Sequence, residues 1–306
     1  MNLKKFTILL RELRVNQWVK NLVVFTAIIF SGKLFNGALF LTTVWAFLIF
    51  CLLSSTSYVL NDIIDYPFDV KHPIKKNRPV AAGSVTIQEA TFIVFVLTLI
   101  SLLLSLLFSL QFFFLAVLFI LLHFFYSLFL KKFPVIDIFS ISASFMLRAF
   151  AGEVVTGFHI PIWLLLTIFF VSLFMATVKR HAELVAHGTG ARSSLLRYNE
   201  HHLTFLTTTF ATITIISYSF YTYFQQLSQN NNILTSDFFD QFVPQSQSRR
   251  WMMITIPLVV YGIARYAQLL YERVQGERPE HVITKDIPLT ITIALWGIIV
   301  IALFYG

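Results

Sequence analysis

The sequence predicts an all-α fold: a polytopic membrane helix bundle of about nine transmembrane helices, N-terminus cytoplasmic, with the chemistry-bearing residues at the cytoplasmic end. Three observations predict it. Of 306 residues, 57% are hydrophobic, 34 are Phe and only 12% are charged, and the mean hydropathy is +0.75, which leaves too little polar surface to coat a water-soluble globule. Apolar runs of about 18 residues or more, enough to cross a hydrocarbon core, recur from end to end. The basic residues fall overwhelmingly on one side of those runs. No long polar segment stands apart, so residues 1–306 read as a single membrane-embedded domain, with 1–15 a candidate interfacial amphipathic helix.

In chain order the apolar segments are about 18–35, 38–62, 87–109, 111–130, 134–156, 161–180, 203–225, 251–272 and 287–305. With the N-terminus inside, eighteen of the 23 basic residues fall in inside segments, Arg192, Arg197, Arg273, Arg278 and Lys285 among them. Only Lys33, Arg249 and Arg250 fall outside, while Arg148 and Arg265 lie within spans. The formal charge of +8 therefore follows from orientation, and no nucleic-acid partner is expected. Lys4, Lys5, Arg11, Glu12 and Arg14 open the chain without an apolar region and small-residue cleavage site, so no removable signal peptide is expected. The single cysteine, Cys51, sits in an apolar run and reads as a buried structural thiol. The polar segment at 226–250 is turn-rich and carries no chemistry.

The most informative stretch runs from Asn61 to Pro79, between the second and third spans. Asp62 and Asp65 stand three apart on one helical face at the C-terminal end of a span, and Asp69 follows just past Pro67. A helix C-terminus disfavours negative charge, so something positive has to compensate. Carboxylates are hard oxygen ligands of the kind that share Mg²⁺ with substrate phosphates, and no His or Cys cluster has zinc spacing. Asp62, Asp65 and Asp69 are thus the candidate catalytic metal ligands, assisted by Asn61. Lys75, Lys76 and Arg78 would meet phosphate oxygens not bound to metal. An ordinary solvated loop explains the charge of this stretch but not its placement at a helix end.

Further candidates fall at the same end of the bundle. Tyr126, Lys131 and the candidate catalytic Asp137 flank the start of the fifth span. Arg148 lies about three turns deeper on that span, where a buried cation should face a polar cavity. Lys179, Arg180 and Glu183 close the sixth span; snorkelling at the interface is the competing explanation for that trio. Arg265 and Asp286 are weaker candidates, equally readable as a structural ion pair.

The segment Asn61-Asp62-x-x-Asp65-x-x-x-Asp69 resembles the aspartate-rich motif of the UbiA superfamily of intramembrane transferases. Further likeness lies in Asn16-Gln17-Trp18-Val19-Lys20-Asn21, Asp69-Val70-Lys71-His72-Pro73, Arg78-Pro79-Val80-Ala81-Ala82-Gly83, Leu147-Arg148-Ala149, Lys179-Arg180-x-x-Glu183 and Tyr261-Gly262-Ile263-Ala264-Arg265-Tyr266. Within the superfamily it is similar to the branch that transfers phosphoribose. That resemblance implies Mg²⁺ as cofactor, 5-phosphoribosyl-1-diphosphate as donor and decaprenyl (polyprenyl) phosphate as acceptor, with a product feeding cell-envelope arabinose donors. It adds Lys20 to the substrate-binding candidates. Prenyltransferases of the superfamily carry a second pair of aspartates four apart; here Asp137 is followed four positions on by Ile141, which counts against prenyl transfer to an aromatic acceptor. That reaction, and from another class a transporter of lipid phosphates or anions, are the competing readings. A homo-oligomer is left open.

Overall fold

The apolar runs fold as helices, and the breaks between them fall at caps that the sequence supplies. The structure is a computed structural model describing residues 3–72, 75–187, 198–225, 250–272 and 286–305, with side chains from residue 8 to 269 and 286 to 305 within those ranges. The segment 226–249 and the basic residues Arg192, Arg197, Arg273, Arg278 and Lys285 lie outside the described residues, as do the side chains of Lys4 and Lys5. Two compact units result, Met1–His159 and Ile160–Gly306.

In the first unit α1 (Leu3–Glu12) leads through Arg14 into an 11-residue 3-10 segment, Val15–Phe25, which α2 (Thr26–Phe30) continues. Asn36 then caps α3 (Gly37–Asp69) by accepting the Leu39 amide. Thr86 and Glu89 form a reciprocal capping box at the start of α4 (Ile87–Phe108), and Ser109 caps α5 (Leu110–Leu128). The unit closes with α6 (Ile136–Thr156), ended by Gly157 in the left-handed conformation that a residue without Cβ adopts freely. Its core is aromatic: Phe50 meets Phe112 and Phe119 edge-on at centroid distances of 5.8 and 5.3 Å, beside Val24, Leu53 and Leu147.

Among the described residues, eight helical stretches are long and apolar enough to cross a membrane. The first expected span is different, because Val15–Phe30 is shorter than these. The 3-10 rise of about 2.0 Å per residue, against 1.5 Å for an α-helix, nevertheless stretches it to roughly the 30 Å of a hydrocarbon core. Side-chain hydrogen bonds hold this thinner helix to its neighbours. Trp18 Nε1 donates to Ser55 Oγ at 3.1 Å, and Ser55 Oγ donates to the Leu13 carbonyl at 2.8 Å. Asn21, fully buried, accepts from Ser54 Oγ at 3.1 Å and donates to the Cys51 sulfur at 3.3 Å, so Cys51 is the buried structural thiol that was expected. Where lipid removes the hydrophobic drive between helices, small residues and such polar contacts carry the packing. The chain is an integral multi-pass membrane protein.

The second unit is built on α7 (Ile162–His187) packed along α8 (Glu200–Phe224), with α9 (Ile256–Glu272) and α10 (Ile287–Tyr305) beside them. Tyr218 ties three of its pieces together: its hydroxyl bonds Thr255 Oγ1 at 2.7 Å and accepts from Trp296 Nε1 at 2.8 Å. Arg265 pairs with Asp286 at 2.8 Å, and Asp286 caps α10 by accepting the Leu289 amide. The ion pair that was one of the two readings of these residues is therefore present.

The closest approach in the first unit is at Gly152, where a Cβ would stand 2.2 Å from the Val24 carbonyl oxygen. Gly152→Ala should therefore cost about 1–3 kcal/mol through overpacking against backbone. Gly262, with nothing within 4 Å of an added Cβ, should gain about 0.5–1 kcal/mol on the same change. Thermal melting in detergent checks both; equal shifts for the two variants would contradict the packing argument.

Candidate active site

The second span does not stop where its apolar run stops. α3 continues through Pro67 to Asp69, so Asp69 is helical rather than past the helix end, a correction to the expected boundary. Pro67, lacking an N–H, cannot bond the Ile63 carbonyl, so the helix runs to Asp69 across one missing i→i−4 bond. Asn61, Asp62, Asp65 and Asp69 consequently line one face at spacings of three and four. Asp62 and Asp69 are buried, each 2% exposed, while Phe68, next to Asp69 in the chain, is open.

Three cations meet three carboxylates on that face. Arg14 places one guanidinium nitrogen against both oxygens of Asp62, at 2.5 and 2.8 Å. Arg78 Nη1 bridges Asp62 at 2.9 Å and Asp69 at 2.6 Å. Lys131 Nζ reaches Asp65 at 2.5 Å and Asn61 Oδ1 at 3.4 Å, and Asn61 in turn donates to Asp65 at 3.0 Å. The compensating charge at this helix end is thus resident protein cation. Arg78, expected among free phosphate-binding cations beside Lys75 and Lys76, spends its charge between two carboxylates instead.

Among the described residues no three His, Cys, Asp or Glu side chains converge on one point that could hold a metal ion. The pairing beneath Arg78 does suit one. A carboxylate oxygen of Asp62 and one of Asp69 converge on a single cationic nitrogen, and hard, anionic oxygens converging in that way are the donors Mg²⁺ takes. The residues present therefore fit the ion chemically.

The remaining candidates divide. Lys75 and Lys76 form a short turn after α3, with Lys76 exposed. Tyr126 and Lys20 are half-buried. Asp137 is fully buried in the first turn of α6, where the helix dipole favours a carboxylate, and it accepts the Ile138 amide at 2.9 Å. Arg148, 3% exposed, bonds neutral groups: Asn21 Oδ1 at 2.6 Å, the Ser144 carbonyl at 2.7 Å, Ser144 Oγ at 3.0 Å and Ser54 Oγ at 3.3 Å. Phe119 lies 4.7 Å beneath its guanidinium. It braces the 3-10 segment, α3 and α6 together, which corrects its reading as a residue facing a polar cavity. Lys179, Arg180 and Glu183 belong to the second unit, where Arg180 is buried and pairs with Glu183 at 2.5 Å.

A family model described as the UbiA prenyltransferase family matches residues 22–228. The chain belongs to that family. A protein of Mycolicibacterium smegmatis named decaprenyl-phosphate phosphoribosyltransferase is 33% identical over 306 residues, covering 97% of this chain and 93% of its own. A protein of the same name from Corynebacterium glutamicum is 32% identical, covering 97% and 86%. Among solved structures, a UbiA homolog from Archaeoglobus fulgidus bound to DMAPP and Mg²⁺ superposes with a TM-score of 0.71 at 17% identity, over 97% of this chain and 98% of that one, a likeness of fold.

Two residues escape the sequence reading, and both precede the segment matched by the UbiA-family model. Arg14 belongs to a basic N-terminal stretch that orientation already explains. Nothing in the sequence announces its left-handed backbone, φ 50° and ψ 49°, a conformation that costs about 1–2 kcal/mol for a residue with a Cβ. Glu12 is the second. Its carboxylate is wholly buried, and among the described residues neither oxygen has a hydrogen-bond partner of ordinary geometry, although the Val80 amide acts on it weakly in favour of the charged form. Burial, and then the like charge of Asp62, push Glu12 up to about 7 from its ordinary 4.5, against the pull of Arg14 and Arg78.

The folded state thus keeps on Glu12 a proton that the unfolded chain releases near 4.5. Its contribution to stability is full below that value and is lost as pH rises through about 7. The melting temperature in detergent should fall across this window more steeply for the unaltered protein than for Glu12→Gln; superimposable profiles would refute the assignment.

Proposed function

We propose that the chain transfers 5-phosphoribosyl from 5-phosphoribosyl-1-diphosphate to decaprenyl (polyprenyl) phosphate, giving a lipid-linked phosphoribose of the kind used for cell-envelope arabinose donors. The observation that carries the reading is the matched set of Asp62, Asp65 and Asp69 with Arg14, Arg78 and Lys131 on one helix end. Such a set is suited to exchange partners with a metal-bound diphosphate. The identity to the two relatives over nearly the whole chain supports the specific donor and acceptor.

In this reading Asp62, Asp65 and Asp69, assisted by Asn61, hold Mg²⁺, which when bound neutralises the diphosphate and makes it a better leaving group. Arg78 and Lys131 turn from carboxylate to phosphate oxygens, two acceptors of the same charge and hardness, so the exchange is close to balanced. Lys20, Lys75 and Lys76 extend the positive field, and the resemblance adds Lys179, Arg180 and Glu183 of the second unit to the proposed substrate-binding set. Tyr126 and Asp137 join as positioning groups at the start of α6, and Arg148 acts by bracing the fold around the site. An acceptor oxygen attacks ribose C1 as the bond from C1 to the diphosphate oxygen breaks, the electron pair leaving with diphosphate. The acceptor phosphate, with a second pKa of about 6, is largely ionised at neutral pH and requires no protein base.

The charge asymmetry supports placing this end of α3 at the cytoplasmic face of the inner membrane, where a water-soluble diphosphate donor is made. With purified protein in detergent, diphosphate release should require donor, polyprenyl phosphate and Mg²⁺ together. Asp62→Asn and Asp65→Asn should each lower turnover by about a hundredfold or more with melting largely preserved, while Arg250→Gln, exposed on the second unit, leaves it unchanged. Release with a prenyl diphosphate and an aromatic acceptor, or substrate movement across vesicles without bond cleavage, would overturn the proposal.

A further inference from the structure

A carboxyl group buried without partners is costly, and an isosteric apolar side chain would fill the same space without that cost. Glu12 is such a group, wholly buried with both oxygens unpartnered, and the charges that govern it are Asp62, Arg14 and Arg78. Beyond a weak influence of the Val80 amide, the attraction it feels comes from Arg14 and Arg78, neither of which is paired with it. Arg14, two residues along the chain, is held on Asp62 by one nitrogen alone. Asp62 is also shared with Arg78, so it carries two cations while Glu12 carries none.

We propose that Glu12 is the second seat for Arg14: when Asp62 turns to a metal-bound diphosphate, Arg14 crosses to Glu12, so that Glu12 is a positioning residue for the site. The inference rests on the diphosphate reading above. Without this seat, Arg14 could leave Asp62 only for solvent or for the incoming phosphate. In the first case a buried region would lose a paired charge; in the second, Arg14 would compete with the residues that orient the donor. The left-handed backbone at Arg14 separates its side chain from the helical run that ends at Glu12, leaving the guanidinium on a short, independent arm. The ring of Tyr58, 5.0 Å from the Arg14 guanidinium, offers a surface that a cation can slide over without leaving a favourable field.

The test uses the full chain in detergent and measures equilibrium binding of inorganic pyrophosphate in the presence of Mg²⁺. Glu12→Gln should weaken binding by about tenfold, the worth of one charge-assisted hydrogen bond, and Glu12→Asp should restore part of it. In an Arg14→Gln background, whatever its own affinity, Glu12→Gln should produce no further loss. If Glu12→Gln does not fold, Glu12→Met, which needs no polar partner, takes its place. An unchanged affinity in Glu12→Gln, or an equal loss with and without Arg14, would overturn the inference and leave the diphosphate reading standing. Absence of pyrophosphate binding by the unaltered protein would overturn both.

Discussion

Three carboxylates at the C-terminal end of one membrane helix repel one another and oppose the helix dipole, and the first unit is arranged around answering that charge. The answer comes from three separate stretches of chain: Arg14 before the first span, Arg78 after α3, and Lys131 after α5. Each has to be delivered by backbone. The two non-glycine residues with positive φ among the described residues lie beside these deliveries: Arg14 itself, and Val135, four residues after Lys131 and two before Asp137. At Val135 the Pro134 carbonyl accepts the Ile136 amide at 2.8 Å across φ 67° and ψ −48°, a γ-turn of the rare, strained hand and an outlier for a β-branched residue. Strain of about 1–3 kcal/mol at such positions persists only where surrounding structure fixes it, and functional sites are where it collects.

The delivery of Arg14 also explains the 3-10 segment. A chain that breaks at residue 14 and must still cross roughly 30 Å by residue 30 lacks the residues for an α-helix. Winding tighter gains length at the expense of hydrogen-bond geometry, and Trp18 and Asn21 supply side-chain bonds that offset the loss. Gly152 then lets α6 come against the Val24 carbonyl, and Arg148 pins the arrangement by bonding Asn21, Ser54 and Ser144. A buried guanidinium without a carboxylate partner is tolerable here because neutral dipoles and two phenyl faces replace its hydration.

Much of this was legible in the sequence. Long apolar runs mark helices in lipid because backbone polar groups have no other way to be satisfied there. The acidic face was legible because aspartates three and four apart at a helix end have no stability rationale. Lys131 and Arg78 were identified as cations of the site, though their partners were not. What stayed hidden depends on backbone conformation or on the count of unpaired groups, neither of which has a residue-type signature. Arg14 looks like any basic residue at a membrane interface, and Glu12 like any charge on an amphipathic helix. Arg148 was taken for a cavity residue because the rule that a buried cation needs an anion or water overlooks Asn and Ser at the right depth.

A site filled by its own cations has a further consequence for selectivity. On the proposed reading, a lone Mg²⁺ taking Asp62, Asp65 and Asp69 would displace Arg78 and Lys131 and leave both cations short of a partner, at a cost comparable to the ion's own gain. A bare diphosphate would meet carboxylates as well as cations. Only the two together supply a new cation for the acids and new anions for the displaced side chains, so the charge pairing that holds the resting site shut to either component alone favours their joint entry. If the proposed function holds, metal and donor bind with positive coupling, whose source is the match of Asp62, Asp65 and Asp69 with the basic residues that now occupy them.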